Sequence, residues 1–325
     1  MVLRLTALAT LGMAAAACTG ADSDSNPTQQ ITSSTTARPT KSWGAFIPSV
    51  LPAAGSASSP ITALSSLAGS SPKYLHLFRA IGDEVPIAEL DAIVATGATP
   101  LITLEPWRPD DGITQPAYAL ARIAAGAHAE DLSRWGRDLA AWGRPVLLRW
   151  AQEMNGTWYP WSVGVNGNTA ADYRAAWSVM RAAMDPAEHI QLVWAPNTMT
   201  LGTNRFADCF PGASQVDVLG LDGYNWGDHP GHRWQWAAEL FTPGITALAE
   251  LGTDLPILIT EVASADGDTP AAKAGWITDF LDLVENHSRI EGFVWFQMDK
   301  ERDWRFNSTP QSTAAFRSGI AELGT

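Results

Sequence analysis

The amino-acid sequence of 325 residues is poor in features that several protein classes require. Its two cysteines are too few for a disulfide framework or a cysteine zinc cluster. Its 21 Lys and Arg residues are outnumbered by 34 Asp and Glu residues, and the net charge of −13 disfavours nucleic acid and anionic membrane surfaces as partners. No apolar run of 18 or more residues lies beyond the N-terminal segment, so we expect no internal membrane span.

Motifs that mark other enzyme classes are missing as well. No apolar segment leads into a GxGxxG or Walker-type turn, and neither a GxSxG elbow nor an HExxH pair occurs. His229 and His232 are the one close histidine pair, and beside Asp228 in a Gly- and Pro-containing stretch they favour a solvated loop over a metal site. We therefore expect neither a metal ion nor an organic cofactor.

The first 41 residues predict an export signal followed by a tether. Residues 1–18 place Arg4 before a short Ala- and Leu-rich stretch, which is typical of a secretory signal. The stretch ends in Ala-Ala-Cys and resembles a bacterial lipobox. We therefore expect lipid on Cys18 and a secreted protein anchored to the outer face of the bacterial cell membrane, with an ordinary signal peptide as the alternative. Residues 19–41 are rich in Ser, Thr, Pro and Asp and predict a disordered tether.

Residues 42–325 alternate between short apolar segments and helix-like segments, with no linker among them. The apolar segments lie at 43–49, 74–80, 99–107, 145–153, 190–197, 216–225, 256–262 and 290–299. The helix-like segments include 86–97, 169–184, 245–252 and 271–286. Nearly continuous apolar segments are typical of parallel strands that are covered on both faces. Eight such units predict a single α/β domain with a (β/α)8 TIM barrel, with an open doubly wound sheet as the alternative and a monomer as the expected state.

Two carboxylates lie at predicted strand ends, where a barrel of this kind places its active site. Glu153 ends the fourth apolar segment and Glu261 lies at the end of the seventh. Two opposed carboxyl groups serve glycoside hydrolysis, in which one is protonated and the other ionised. Glu261 suits the nucleophile if Tyr224 donates a hydrogen bond to it. We expect the two carboxyl groups to lie about 5–5.5 Å apart, as a retaining mechanism requires.

Aromatic residues cluster around these positions. Desolvation by nearby aromatic rings would raise the pKa of Glu153 and suit it to general acid work. Those rings belong to Trp150, Trp158, Tyr159 and Trp161. Flat rings also pack on the C–H faces of sugars. Candidates for that contact are Trp107, Trp158, Trp161, Trp226 and Trp295, whereas Trp177, Trp194 and Trp276 are expected in the core. His76 is a further candidate substrate contact at the barrel mouth.

The stretch RWAQEMNGTWYPW at 149–161 resembles the strand-4 signature of glycoside hydrolase family 26. Further matching stretches are DYRAAW at 172–177, VLGLDGYN at 218–225, PILITE at 256–261, FVWFQMD at 293–299 and DWR at 303–305. The resemblance extends over the whole domain from Trp43 onward. It implies a retaining (β/α)8 glycanase with catalytic carboxylates on strands 4 and 7. Members of the family are mostly endo-β-1,4-mannanases, with some β-1,3-1,4-glucanases and β-1,3-xylanases.

The resemblance also implies roles for individual residues. Glu153 matches the family's acid/base, Glu261 its nucleophile, and Tyr224 the tyrosine that orients the nucleophile. Trp158 and Trp295 match aromatic residues near the cleaved bond. Three further residues lie within the matching motifs as supports or substrate contacts, and these are Arg149, Asn155 and Asp222.

One position departs from the pattern. Many mannanases of the family have His before the acid/base, whereas this sequence has Gln152. Elsewhere in the clan this position contacts the sugar 2-hydroxyl, which is axial in mannose and equatorial in glucose, so we expect Gln152 to affect which sugar is accepted. A β-1,4-mannan substrate is ranked first and β-glucan close behind, with β-1,3-xylan also open. An envelope polysaccharide of the producing cell as the substrate, or a non-catalytic sugar-binding lipoprotein, is the alternative.

Overall fold

The computed structural model describes residues 40–56, 58–198 and 205–323. Within these residues eight parallel strands close into a barrel in chain order, and the last strand pairs with the first. Helices alternate with the strands and cover the outside of the barrel. The prediction of a single (β/α)8 barrel is confirmed, and the open-sheet alternative is wrong.

The predicted strand segments all contain a strand, with ends that differ by a few residues. The strands are β1 Ser42–Phe46, β2 Tyr74–Ala80, β3 Thr99–Glu105, β4 Val146–Trp150, β5 Ile190–Trp194, β6 Val218–Asn225, β7 Ile257–Ser264 and β8 Ile290–Phe296. The α-helices are α1 Pro60–Ala68, α2 Ile87–Val94, α3 Leu120–Ala124, α4 Ala129–Trp142, α5 Ala170–Met184, α6 Ala237–Ala249, α7 Ala272–Asn286 and α8 Pro310–Leu323.

The interior of the barrel changes from apolar to polar along the strands. One layer of inward side chains forms an apolar plug of Leu101, Leu147, Val193, Val218, Leu258 and Val294. Side chains of a strand alternate between its two faces, so the residue two positions onward also points inward. At that level β3 carries Thr103 and β4 carries Arg149, both fully buried. The floor of the cleft is thus polar and rests on an apolar layer.

Helices α5 and α6 illustrate how the sequence encodes the outer layer. Thr169 and Asp172 form a capping box that starts α5. The apolar stripe of α5, which includes Trp177, is buried against the barrel as expected. Helix α6 begins eight residues before the predicted segment at 245–252, because it continues through Pro243. Pro243 and Gly244 are sequence signals for a break, and they hid the first half of this helix.

Lys41 already packs against the barrel, although the sequence analysis assigned it to the end of the tether. The Lys41 ammonium donates hydrogen bonds to the backbone carbonyls of His287 and Ile290. The predicted signal segment at 1–18 and lipidation at Cys18 lie outside the described residues and stay predictions, as does most of the predicted tether. No helix in the described part of the chain is long and apolar enough to cross a membrane.

Candidate active site

Arg149 is the hub of the cleft floor. Its guanidinium is fully buried and forms ion pairs with Asp222 at 2.6 Å and with Glu261. Its Nε donates to the Thr103 hydroxyl at 2.7 Å, and a fourth contact runs from its Nη2 to His76 Nε2 at 3.4 Å. An arginine keeps its proton in proteins, so this hub places a permanent positive charge beside Glu261.

An irregularity in β7 directs Glu261 into the barrel. The register between β6 and β7 shifts so that Leu221 pairs with Ile259 but Asp222 pairs with Glu261. This shift places one extra residue, Thr260, in β7, and such a bulge re-aims the side chains that follow it. The Thr260 hydroxyl donates to Asp222, and Glu261 accepts from Arg149. The side chains of two consecutive residues therefore both point into the barrel. Without the bulge, Glu261 would lie on the helix-facing side with Ile259.

Glu261 is held by one donor on each oxygen. Arg149 donates to its Oε1 and the Tyr224 hydroxyl donates to its Oε2. Burial, with the charge of Glu261 adding to it, raises the pKa of Tyr224 well above its usual value, so the phenol keeps the proton it donates. A cation and a neutral donor together fix both oxygens of the Glu261 carboxyl group. The hydrogen bond that the sequence required of Tyr224 is therefore present.

Glu153 lies just beyond β4, on a backbone that L-residues rarely adopt. Both Ala151 and Glu153 have positive φ, 46° and 52°. Their backbone N–H groups donate to Leu104 of β3 and to Ala195 after β5, at 3.3 and 2.8 Å. Such conformations cost on the order of 1–3 kcal/mol each and cluster at functional sites, where the surroundings enforce them. The strain points Glu153 back over the cleft.

Neutral donors surround the Glu153 carboxyl group. Asn197 Nδ2 donates to Oε1 at 2.7 Å and the Trp158 indole donates to Oε2 at 2.6 Å. Burial raises the pKa of Glu153 to about 7, and the negative charge of Glu261 adds to this effect against the two hydrogen bonds and Arg149. A carboxyl group with this pKa can hold a proton near neutral pH, as a general acid must.

Two residues of the EMNGTW stretch support this arrangement. A Cβ atom on Gly156 would lie 2.5 Å from the Trp158 ring, so only glycine lets the indole fold back onto Glu153. Asn155 is fully buried, and its amide both donates to the Asn197 carbonyl and accepts from the Asn197 N–H. Asn155 therefore fixes the residue that holds Glu153.

A third carboxylate, Glu105, lies at the end of β3 and was not among the sequence candidates. Its Oε1 accepts from the Gln152 amide at 2.8 Å and its Oε2 accepts from the Trp107 indole at 3.1 Å. Burial raises the pKa of Glu105 to about 7, despite these hydrogen bonds and the charge of Arg149. Gln152 itself is fully buried, whereas Glu105 retains 7% of its surface. The Gln152 amide therefore binds the neighbouring Glu105 carboxyl group and does not itself reach the surface of the cleft.

His76 lies beneath the cleft rather than in its mouth. It is fully buried, with its ring 4.2 Å from that of Phe78 and 6.1 Å from that of Phe46. Burial, followed by the charge of Arg149, lowers the pKa of His76 well below its usual value, so the ring is neutral. Its Nε2 contacts the Thr103 hydroxyl at 2.6 Å. The prediction of a direct substrate contact is wrong, and His76 supports the Arg149 hub instead.

Trp295 is also misplaced by the sequence prediction. It is fully buried on the outer face of β8, where its ring packs 6.2 Å from Trp276 of α7 and 5.5 Å from Phe316 of α8. Since side chains alternate along a strand, the next residue, Phe296, faces inward. Phe296 is 9% exposed and its ring lies 5.8 Å from that of Tyr224. The aromatic residue at this edge of the cleft is Phe296.

The other tryptophans named in the sequence analysis divide between cleft and core. Trp158 is 40% exposed above the cleft and Trp107 is half-buried beside Glu105. Trp226 is half-buried, and its ring stacks on that of His232 at 4.9 Å. Fully buried are Trp150, Trp161, Trp177, Trp194 and Trp276. Within the described residues, no group of three or more His, Cys, Asp or Glu side chains could hold a metal ion, and this includes the His229–His232 pair.

Sequence reasoning missed Glu105, Asn197, Thr103 and Thr260. Glu105 and Asn197 each lie at the end of a predicted strand segment, so the rule that selected Glu153 and Glu261 could have found them. Thr103 and Thr260 carry no such signal, because an isolated threonine in an apolar strand is an ordinary β-residue.

Comparison with known proteins places this arrangement in a family. The family model described as Glycosyl hydrolase family 26 matches residues 120–313. Endoglucanase H of Acetivibrio thermocellus is 33% identical over 240 residues, which cover 71% of this chain and 25% of that protein. The beta-1,3-xylanase TXYA of a Vibrio species is 26% identical over 202 residues, which cover 57% of this chain and 42% of that protein. The chain thus spans less than half the length of either relative.

Solved structures agree on the fold. The structure of a GH26 beta-mannanase from Bacteroides ovatus matches with a TM-score of 0.65 and 18% identity, over 88% of this chain and 90% of that one. At this level of identity the likeness concerns the barrel alone.

Proposed function

Since this chain belongs to glycosyl hydrolase family 26, we propose that it hydrolyses a β-linked polysaccharide within its backbone and with retention of anomeric configuration. Membership of the family confirms the resemblance noted in the sequence. In this proposal Glu261 is the nucleophile and Glu153 is the general acid/base. No metal ion or organic cofactor takes part.

The proposal is supported above all by the unequal environments of the two carboxyl groups. Glu261 is bound by the Arg149 guanidinium, a permanent cation, and by the Tyr224 phenol. Glu153 is bound by neutral donors, and burial raises its pKa to about 7. Glycoside hydrolysis needs this difference, since one carboxylate attacks while the other carboxyl group protonates the leaving oxygen.

The reaction proceeds in two steps. First, the Glu261 carboxylate attacks the anomeric carbon, the glycosidic C–O bond breaks, and the Glu153 proton moves to the leaving oxygen. Second, the Glu153 carboxylate takes a proton from water, the water oxygen attacks the anomeric carbon, and the bond to Glu261 breaks. Arg149 and Tyr224 hold Glu261 in place through both steps, and Asn197 and Trp158 keep Glu153 over the leaving oxygen.

For the substrate we place β-glucan ahead of β-1,4-mannan, which the sequence alone ranked first. The relative that is 33% identical is named an endoglucanase, while the likeness to a mannanase structure at 18% identity concerns the fold. The residue before Glu153 is Gln152 rather than the His of many mannanases of the family. β-1,3-Xylan is the third candidate, because the Vibrio relative is named a β-1,3-xylanase.

The test is hydrolysis of a panel that contains mixed-linkage β-glucan, β-1,3-glucan, β-1,4-mannan, galactomannan and β-1,3-xylan. We expect reducing sugar to be released from at least one polymer, with viscosity falling early because the cuts are internal. Glu261→Ala should abolish the release. Glu291→Ala, an exposed glutamate of β8, should leave it unchanged. If the folded protein releases nothing from any polymer, the proposal fails and a non-catalytic sugar-binding role gains support.

A further inference from the structure

We propose that Glu105 is a substrate-binding residue that accepts hydrogen bonds from hydroxyl groups of the sugar bound beside Glu153, with Gln152 and Trp107 fixing its carboxylate. This inference rests on the proposed function, since it concerns the same cleft. In this proposal Glu105, rather than Gln152, is the group near the acid/base that contacts the sugar hydroxyl groups.

The position of Glu105 in the barrel is the first argument. Glu105 lies two residues after Thr103 on β3, and Thr103 points inward because its hydroxyl contacts Arg149. The alternation along the strand therefore directs Glu105 to the cleft as well. The charges of Arg149 and Glu261 both act on the Glu105 carboxyl group, which places it in the same cleft as the nucleophile.

The hydrogen bonding of Glu105 is the second argument. A carboxylate offers about four lone-pair sites, and the Gln152 amide and the Trp107 indole occupy one on each oxygen. The remaining acceptor capacity has no donor among the described residues. Sugar hydroxyl groups are donors that these free acceptor sites can bind, and the hydrogen bonds are strongest above neutral pH, where Glu105, with its pKa of about 7, is ionised.

The burial of Gln152 is the third argument. Its side chain is fully buried, so it serves Glu105 and has no free surface to offer a sugar. The amide directs its NH₂ group to the carboxylate even though its Oε1 then stays buried without a hydrogen-bond partner in the described structure. An unpaired buried acceptor is costly, so the carboxylate dictates which way the amide faces. Gln152 is thus a positioning residue for Glu105.

The experiment measures binding as well as hydrolysis. Oligosaccharides cut from mixed-linkage β-glucan, β-1,4-mannan and β-1,3-xylan are titrated into the Glu261→Ala protein by calorimetry, with and without Glu105→Leu. At a pH above the Glu105 pKa of about 7, we expect Glu105→Leu to raise the Kd about tenfold to a hundredfold for the oligosaccharide that binds best, because the hydrogen bonds to the ionised carboxylate are lost. In the active protein, KM should rise by more than kcat falls.

Further variants separate binding from folding. Glu105→Gln keeps the side-chain volume but offers fewer acceptors, so we expect a Kd about fivefold higher, as for the loss of one hydrogen bond. Gln152→Leu should raise the Kd when Glu105 is present. In a protein that already carries Glu105→Leu, the same substitution should change the Kd little. Glu291→Gln is the matched control, because Glu291 is an exposed strand glutamate outside the cleft.

Each result decides the question. If Glu105→Leu and Glu105→Gln are folded and bind every oligosaccharide as tightly as the parent protein, Glu105 is not a substrate contact, and the proposed function is untouched. If Glu105→Leu is unfolded, Glu105→Gln decides alone. If the parent protein neither binds nor cleaves any of the sugars, both proposals are overturned together.

Discussion

The two sides of the cleft hold chemically identical side chains in different ways. On the β7 side, Glu261 lies in a strand and is bound by a guanidinium and a phenol. On the β4 side, Glu153 lies on a strained turn and is bound by an amide and an indole, and no cation of the described residues forms an ion pair with it. Burial raises the pKa of Glu153 to about 7 against the effect of its two neutral donors, whereas Glu261 is paired directly with a cation.

The comparison also shows how each side is made rigid. Glu261 depends on a buried charge network, in which Arg149 joins it to Asp222. Glu153 depends on short-range packing, since Gly156 allows Trp158 to approach and Asn155 fixes Asn197. We therefore expect the β7 side to control the stability of the barrel floor, and the β4 side to control the pH at which the protein works.

Removal of each carboxylate should have the largest effect and should distinguish the two roles. We expect Glu261→Ala and Glu153→Ala to lower kcat by about 10⁴-fold and about 10²- to 10⁴-fold, because nucleophilic and general acid–base steps contribute on this scale. Added azide should restore turnover differently. In Glu261→Ala it attacks in place of the nucleophile and gives a glycosyl azide of inverted configuration. In Glu153→Ala it attacks the glycosyl-enzyme and gives the retained configuration.

The configuration of the product, read by NMR of an aryl glycoside reaction, is the measurement. An aryl leaving group needs little protonation, so the first step of Glu153→Ala stays fast enough to supply the intermediate. A retained azide product from Glu261→Ala, or an inverted one from Glu153→Ala, would show that the roles are exchanged.

Breaking the charge network should have the next largest effect. Arg149→Met leaves Asp222 and Glu261 buried without their cation, and we expect the free energy of unfolding to fall by about 3–5 kcal/mol, as when one partner of a buried ion pair is removed. Arg137→Met is the control, because its pair with Glu130 is exposed and we expect a loss of less than about 1 kcal/mol. Urea unfolding followed by circular dichroism gives both values, and equal losses would contradict the network.

The same contrast explains which parts could be predicted from sequence. The barrel and the two catalytic candidates follow from runs of apolar residues that end in a charge, a signal local to each strand. The inward orientation of Glu261 does not follow, because it depends on a bulge at Thr260 that only the pairing of β6 with β7 defines. The placement of Trp295 in the cleft fails for a related reason, because only the register of β8 shows that its neighbour Phe296 faces inward.

Contacts between residues that are distant in sequence could not be predicted for a further reason. Arg149 joins Asp222, which lies 73 residues away, and Glu261, which lies 112 residues away. A motif places Arg149 near the site, but no spacing rule says which carboxylates it will contact. The Gln152 amide likewise pairs with Glu105 across 47 residues, and nothing in the spacing of the sequence indicates that contact.

The smallest expected effect is a shift of the pH profile. In the acid/base role Glu153 must be protonated at the start, so kcat/KM falls as the pH rises through its pKa of about 7. The Trp158 indole donates to the ionised form and so lowers this pKa. Trp158→Phe removes that donor, and the pKa of Glu153 should rise. The falling limb of the kcat/KM profile should therefore move to higher pH.

A glycine pair supplies the control for this shift. Gly156→Ala forces the Trp158 ring away from Glu153 without removing the indole, and should move the falling limb in the same direction. Gly82→Ala changes an exposed glycine with nothing within 4 Å of the added Cβ, and should leave the profile in place. If the falling limb of the kcat/KM profile stays at the same pH in both Trp158→Phe and Gly156→Ala, burial and not the indole sets the proton affinity of Glu153. The β4 side would then differ from the β7 side only by lacking a cation, and its two neutral donors would serve geometry rather than acidity.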